Sequence, residues 1–452
     1  MEKTSISFYG GAQEVTGACY LLEAAGKKIL IDCGLFQGSR FADEKNKEPF
    51  PFDPKKIDAL VVTHGHIDHI GRIPKLYRDG FRGPIYATRA TCDLMEVMLE
   101  DAFFLMSKEC RDHQEECLYF EEHFRGVKEL FRPVEYYQTI TLSDELSFSL
   151  LNAGHILGSS FARFVSDGKI ILFTGDVGAR ASVLLPPHDE VRDANVLVIE
   201  SAYGNRTHKH IAEKTLLFER ALEDIVRKKG TLLIPVFATE RTQDILYEIN
   251  EMLEFRRIPP MPVFLDSPLA IKVTEVFKRH TMFYTDKIKE ELRTHKHLFD
   301  FKHLTFSETK EDSKKINDVP PPKVVLAGSG MMTGGRILHH AMRYLRDPNS
   351  ILLIVGWQAA GSLGRRLLDH ATDVKIRGEI VPVRAEIRVI DGYSAHADQD
   401  ELLAFVAHTR DSLKKVFVVQ GEADAAMHLT ETIQDQYGIE AHAPRFGEKF
   451  DL

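Results

Sequence analysis

Three imidazoles and one carboxylate fall within six positions of this chain, at His64, His66, Asp68 and His69 in the stretch VVTHGHIDHIG. The apolar run before them, IDALVVT, reads as a buried strand. Side chains alternate along a strand, so His64 and His66 can point together at its end. The turn into a following helix then carries Asp68 and His69 to a neighbouring point. Imidazole nitrogens and a carboxylate are the donors that zinc takes, and two ions about 3.5–4 Å apart form the clamp used on phosphate esters and other hydrolysable groups. The spacing therefore predicts metal-assisted hydrolysis.

Other residues extend the donor list. The run KKILID ends in Asp32 before Cys33-Gly34, where an acid is either a turn former or a carboxylate that fixes an imidazole tautomer. In ELSFSLLNAGHILGSS and KIILFTGDVG, apolar strands run into glycine-flanked His155 and Asp176. Glycines let the backbone turn sharply and bring such a side chain to the strand end. Alone, each would be structural; two of them downstream of the histidine motif complete a two-metal ligand set. Glu200 closes the strand NVLVIE.

A different chemistry is suggested by PPKVVLAGSGMMTGGRILHHAMRYL, which reads as strand, glycine-rich loop and helix. Backbone N–H groups over Ser329, Gly330, Thr333, Gly334 and Gly335, with the helix start at Arg336, form a candidate anion cradle. The loop lacks the GK[ST] of an NTP site and the GxGxxG of a dinucleotide site. A second such unit, ILLIVGWQAAGSLGRRLLD, follows with Arg365 and Arg366. Arg241 in FATERTQDIL is either a phosphate contact or a salt-bridge partner. His113 and His123 read as solvated, His280, His295, His297 and His303 as exposed helix residues, and His339 and His340 as packing residues.

These sites need two domains to carry them. At 452 residues, with 44% hydrophobic and 28% charged, the chain is a globular protein too long for one ordinary core. It has no apolar run of membrane-spanning length, and MEKTSISFYGG offers no apolar signal core, so the expectation is a cytoplasmic protein without a membrane partner. Cys19, Cys33, Cys92, Cys110 and Cys117 are odd in number and form no CxxC, which predicts buried small hydrophobes and no disulfide framework. A net charge of −9 excludes an indiscriminate coat for nucleic acid, although a locally positive, metal-loaded cleft remains compatible with it. From about Asn205, strands alternate with helices, the pattern of parallel βαβ units; β character returns from about Lys375.

The ordered set Asp32, HGHIDH, His155, Asp176, ESAYG at Glu200, SGMMTGG at Ser329 and YSAHAD at His396 resembles the β-CASP branch of the metallo-β-lactamase superfamily. The resemblance spans essentially the whole chain. It implies an α/β protein, a metallo-β-lactamase αββα sandwich over 1–205 and 378–452 with an inserted β-CASP α/β domain over 206–377. It also implies two Zn2+ ions: one on His64, His66 and His155, the other on Asp68 and His69, with Asp176 bridging. Glu200 would pair with His396, the general acid of a two-metal hydroxide mechanism on single-stranded RNA, and Asp32 and Asp68 would join the catalytic set. The departure is Gln420, where RNA-processing members of the family carry a histidine that completes the second site. A neutral amide oxygen is a weak donor for zinc. An RNA-binding protein with impaired catalysis and a small-ester metallo-hydrolase are the alternatives. Endonuclease action is the expectation, and a homodimer is compatible with the residues.

Overall fold

The computed structural model describes residues 3–38, 40–180, 182–208, 213–294, 298–356, 358 and 361–452. His295 and His297 lie outside the described residues. The chain forms two compact units, the first built from 1–180, 187–207 and 396–452, the second from 181–186 and 208–395.

In the first unit two seven-stranded sheets pack face to face. One runs Lys449–Asp451, Ser5–Phe8, Tyr20–Ala24, Lys27–Ile31, Ala59–Val61, Ile85–Thr88 and Phe131–Val134. The other runs Glu440–His442, Lys415–Val419, Val196–Glu200, Lys169–Phe173, Ser160–Ser166, Leu146–Asn152 and Ile140–Ser143. Alternating apolar positions of both meet between them: Phe8 lies 5.1 Å from Phe417, and Tyr20 6.2 Å from Phe173, ring to ring. On the outer face of the first sheet, Ile70, Ile73, Leu76, Met95 and Leu99 cover Leu30, Leu60 and Val62. Leu402, Phe405, Leu429 and Ile433, from helices Gln399–Thr409 and Ala423–Tyr437, cover the second sheet. Buried strands with both faces covered need near-continuous apolar runs, and KVFVV and VLVIE are such runs. The result is the expected αββα sandwich.

The second unit holds a six-stranded sheet, in order Leu304–Phe306, Val263–Asp266, Lys323–Ala327, Thr231–Pro235, Ile351–Ile354 and Glu386–Val389. Every strand pair in it is parallel, as the alternation of strands and helices predicts. The expected boundary at 377 falls inside this unit, because Glu386–Val389 pairs in register with Ile351–Ile354. Two further differences concern single residues. Cys110 and Cys117 are joined by a disulfide, while Cys19, Cys33 and Cys92 are free and buried. His280 is buried at the end of the helix Pro268–Arg279. Among the described residues, no helix is long and apolar enough to cross a membrane.

Candidate metal centre

The first unit brings carboxyl ends of strands from both sheets to one place. Asp32 follows Lys27–Ile31, His64 follows Ala59–Val61, His155 follows Leu146–Asn152 and Asp176 follows Lys169–Phe173. Glu200 is the last residue of Val196–Glu200, and Gln420 follows Lys415–Val419. Backbone bonds stitch the two sheets together here. Ser160 N–H donates to the Thr63 carbonyl at 2.8 Å, and within the loop that carries His155, Ser159 Oγ accepts from the His155 N–H at 3.0 Å. His66 stands at the N-cap of the short helix Ile67–Ile70 without a side-chain cap bond; its ring turns to the cluster instead.

The donor atoms form a polyhedron. His64 Nε2 lies 3.1 Å from His66 Nδ1, which lies 3.2 Å from His155 Nε2. Asp176 Oδ2 is 3.4 Å from His64 Nε2 and 3.2 Å from His155 Nε2. Each of these separations is close to the roughly 3.3 Å edge of a tetrahedron of donors about 2.0–2.1 Å from a central zinc, and all four atoms lie within 4.8 Å of one another. The other carboxylate oxygen, Asp176 Oδ1, is 3.3 Å from His69 Nε2, which orients Asp176 to serve two positions. Asp68 is half-buried, and desolvation raises its carboxyl pKa.

Charge follows the same plan. Burial first, then the charge of neighbouring imidazoles, holds His64 below and His66 and His155 well below the usual imidazole range, the neutral form that ligates. Burial alone would push Asp176 up, but His69, His64, His155 and His396 outweigh it and hold its carboxyl well below the usual range. Burial also opposes a charge on His69; Asp176 and Asp32 overcome it and hold that ring well above its ordinary value.

Asp32 is a tautomer-fixing group in this geometry. Its Oδ2 accepts from His69 Nδ1 at 2.7 Å and from Thr63 Oγ1 at 2.8 Å, while Oδ1 accepts the Thr63 N–H at 2.8 Å. Those three bonds hold Asp32 in the left-handed backbone region, at φ +57°. Thr63 has no place in the sequence reading, which ended its strand one residue before the motif; a polar last residue of an otherwise apolar run was the available signal. Tyr203, whose ring is 6.1 Å from that of His396, and Arg206 over its face at 4.9 Å were also unforeseen.

Glu200 and His396 meet as the sequence predicts. Both carboxylate oxygens of Glu200 lie 3.2 Å from His396 Nδ1, and Oε1 also accepts the Val177 N–H at 2.7 Å. Glu200 is fully buried, which raises its pKa, and the neighbouring His396 moderates the rise. The His396 side chain is 29% exposed, and Nδ1 stands 3.8 Å from Asp176 Oδ2, so the pair borders the metal-ligand set with one side towards solvent.

The glycine-rich loop lies in the second unit. There Ser329 Oγ accepts from the N–H groups of Thr333 at 3.1 Å and Gly334 at 3.3 Å. Gly335 has φ +77°, and a Cβ on it would lie 2.3 Å from the Gly328 carbonyl oxygen. Arg336 donates to Asp266 and to the Ser307 carbonyl, both at 2.7 Å, and to that of Glu308 at 2.8 Å. Asp266 also receives His340 at 2.7 Å. Arg241 is buried in its helix, 4.0 Å from Asp244. Neither arginine presents an open guanidinium: one is spent inside the fold and the other is covered by it.

Family comparisons agree with this geometry. Three descriptions match in order: Metallo-beta-lactamase superfamily over 12–236, Beta-Casp domain over 242–367, and Zn-dependent metallo-hydrolase RNA specificity domain over 380–444. Ribonuclease TTHA0252 of Thermus thermophilus is 39% identical over 97% of this chain and 98% of its own. The chain belongs to the β-CASP family of metallo-β-lactamase-fold ribonucleases. An RNase J-like protein of Methanocaldococcus jannaschii is 30% identical, covering 97% of both chains, and transcription termination factor FttA of Methanosarcina mazei is 29% identical over 97% of this chain and 70% of its own. A crystal structure of a protein of unknown function from Enterococcus faecalis aligns at TM-score 0.58 and 13% identity over 100% of both chains, a likeness of fold alone. This β-CASP protein is thus a metal-dependent hydrolase with a Zn-dependent metallo-hydrolase domain, and its His/Asp cluster is of a kind that holds a metal ion.

Proposed function

We propose that this β-CASP protein cuts single-stranded RNA, as an endonuclease, at a centre for two zinc ions. The observation that carries the reading is the tetrahedral set His64, His66, His155 and Asp176 with the Glu200–His396 pair at its edge. It is supported by the RNA specificity description over 380–444 and by the names of the two ribonuclease relatives. Zinc bound there supplies a nucleophile drawn from water near neutral pH and Lewis-acid neutralisation of phosphoryl charge.

The chain's own residues do the rest. His64, His66 and His155 would hold the first ion and Asp68 and His69 the second, with Asp176 between them. Asp32 would keep the His69 proton on Nδ1, leaving Nε2 as the atom that faces the ion. Glu200 orients His396 through Nδ1, leaving Nε2 as the atom that delivers a proton to the departing ribose oxygen. In the second unit, Ser329 Oγ occupies the N–H groups of Thr333 and Gly334 as a phosphate oxygen would, and we assign Ser329–Gly335 to backbone phosphates of the RNA. Arg336 and Arg241 take the part of scaffold residues that hold the loop and its neighbouring helix.

The test is cleavage of a 5′-labelled single-stranded RNA by the purified protein with zinc, with His64→Ala in parallel. Internal products that vanish in the variant are expected. A folded, zinc-loaded protein that leaves RNA intact but hydrolyses a small thioester would replace RNA with a small ester as substrate.

A further inference from the structure

Gln420 brings a neutral amide to this centre, and that amide touches a ring nitrogen of the second position. Asp32 Oδ2 accepts from His69 Nδ1 at 2.7 Å, so Nε2 is the ring atom left to face an ion. That nitrogen is 3.3 Å from Asp176 Oδ1 and 2.7 Å from Gln420 Nε2. The Gln420 amide therefore packs directly onto the ring atom that an ion in the second position would need. Gln420 Oε1 is buried and without a hydrogen-bond partner.

The backbone holds this arrangement. Gln420 sits at φ +48°, with its N–H on the Gly11 carbonyl at 2.7 Å. A Cβ on Gly11 would meet Gln420 Cγ at 2.9 Å and Tyr20 Oη at 2.6 Å, and Tyr20 Oη is a second buried polar atom without a partner. The wall of the second position thus carries two unmatched polar atoms, whereas the first position has four donors within 4.8 Å of one another. Turned about, the amide would place its oxygen on an Nε2–H of a doubly protonated His69. In either orientation an incoming ion has to displace a hydrogen bond.

We propose that Gln420 is a lock on the second cation position and not a ligand of it. The chain holds one zinc on His64, His66, His155 and Asp176, and admits a second only when free zinc is high enough to break the contact with His69. This rests on the reading of the cluster as a zinc centre, and it makes the second ion a response to zinc supply.

The experiment is zinc content by mass spectrometry after equilibration with buffered free zinc, with chelator competition for affinity, on the wild type, Gln420→Ala and Gln420→His. The wild type should keep one zinc and bind a second roughly 10- to 100-fold more weakly. Gln420→Ala should bind the second ion about 10-fold more tightly than the wild type, because His69 Nε2 is released, and Gln420→His should keep two. An unchanged first equivalent in all three chains confirms that the fold and the tetrahedral set are intact. Two equally tight ions in the wild type, or a second ion bound more weakly by Gln420→Ala than by the wild type, overturns the lock. Metal content is independent of RNA, so a failed cleavage assay leaves this result standing, while a chain that binds no zinc sinks both readings.

Discussion

His396 and Glu200 stand next to the metal ligands without belonging to the tetrahedral set, and this separates their loss from loss of the ion. Nδ1 of His396 is taken by Glu200, so replacing the ring removes a proton donor and leaves the four donors of the first position in place. His396→Ala is expected to lower RNA turnover by about 10²–10⁴-fold with zinc content unchanged, measured by cleavage rate and metal analysis on the same sample. A parallel loss of zinc would make His396 a ligand. Thr63 acts one step further from the ion. Its hydroxyl donates to Asp32 Oδ2, and valine keeps its shape while removing that donor from a fully buried carboxylate. Thr63→Val should cost about 1–3 kcal/mol in denaturant unfolding.

At the scale of elements, the centre depends on turns that approach one another too closely for a side chain. A Cβ on Gly34 would lie 1.5 Å from the Asp68 carbonyl oxygen, a backbone atom of the turn that carries Asp68 and His69. Gly34→Ala must therefore shift that turn, with an expected cost of about 3 kcal/mol, at the upper end of overpacking penalties, and weaker uptake of a second zinc at high free zinc. Gly168 is the control: its φ is +72° but nothing lies within 4 Å, so Gly168→Ala should cost only the left-handed backbone term of about 1–2 kcal/mol and keep its zinc. Thermal unfolding of the two variants side by side checks the contrast. Much of this scale was legible in sequence, because each donor follows an apolar run that can only be a buried strand. What was not legible depends on pairing. The EIRV strand past 377 reads as part of a returning β domain, and only its register with Ile351–Ile354 puts it in the second unit. Arg336 reads as an anion contact beside a glycine-rich loop, yet its partner Asp266 lies 70 positions away in sequence. Cys110 and Cys117 show no CxxC spacing and still meet at the end of the helix Arg89–His113.

For the molecule as a whole, the cluster sets the response to acid and to chelator. His64, His66 and His155 are held below the ordinary imidazole value of about 6.5, so without metal the unfolded chain binds more protons at these residues, and stability is lost as pH falls from about 6.5 through their folded values. His69 works in the opposite sense: its raised pKa contributes stability below about 6.5 that is lost as pH rises through the folded value. Three depressed rings oppose one raised ring, so the chelated protein should lose thermal stability between pH 7 and pH 5. Asp176, depressed in the fold, adds to the loss at lower pH still, below the ordinary aspartate value of about 3.9. Zinc amplifies the trend, because it binds only the deprotonated donors and stabilises the fold by about 2.7 kcal/mol at a hundredfold excess over its dissociation constant. Melting curves with and without zinc, from pH 8 to pH 5, should therefore lie well apart at the alkaline end and converge at the acid end. Curves separated by a constant amount would mean that the ion's ligands do not titrate in this range, and that the imidazoles at the strand ends are not what holds it.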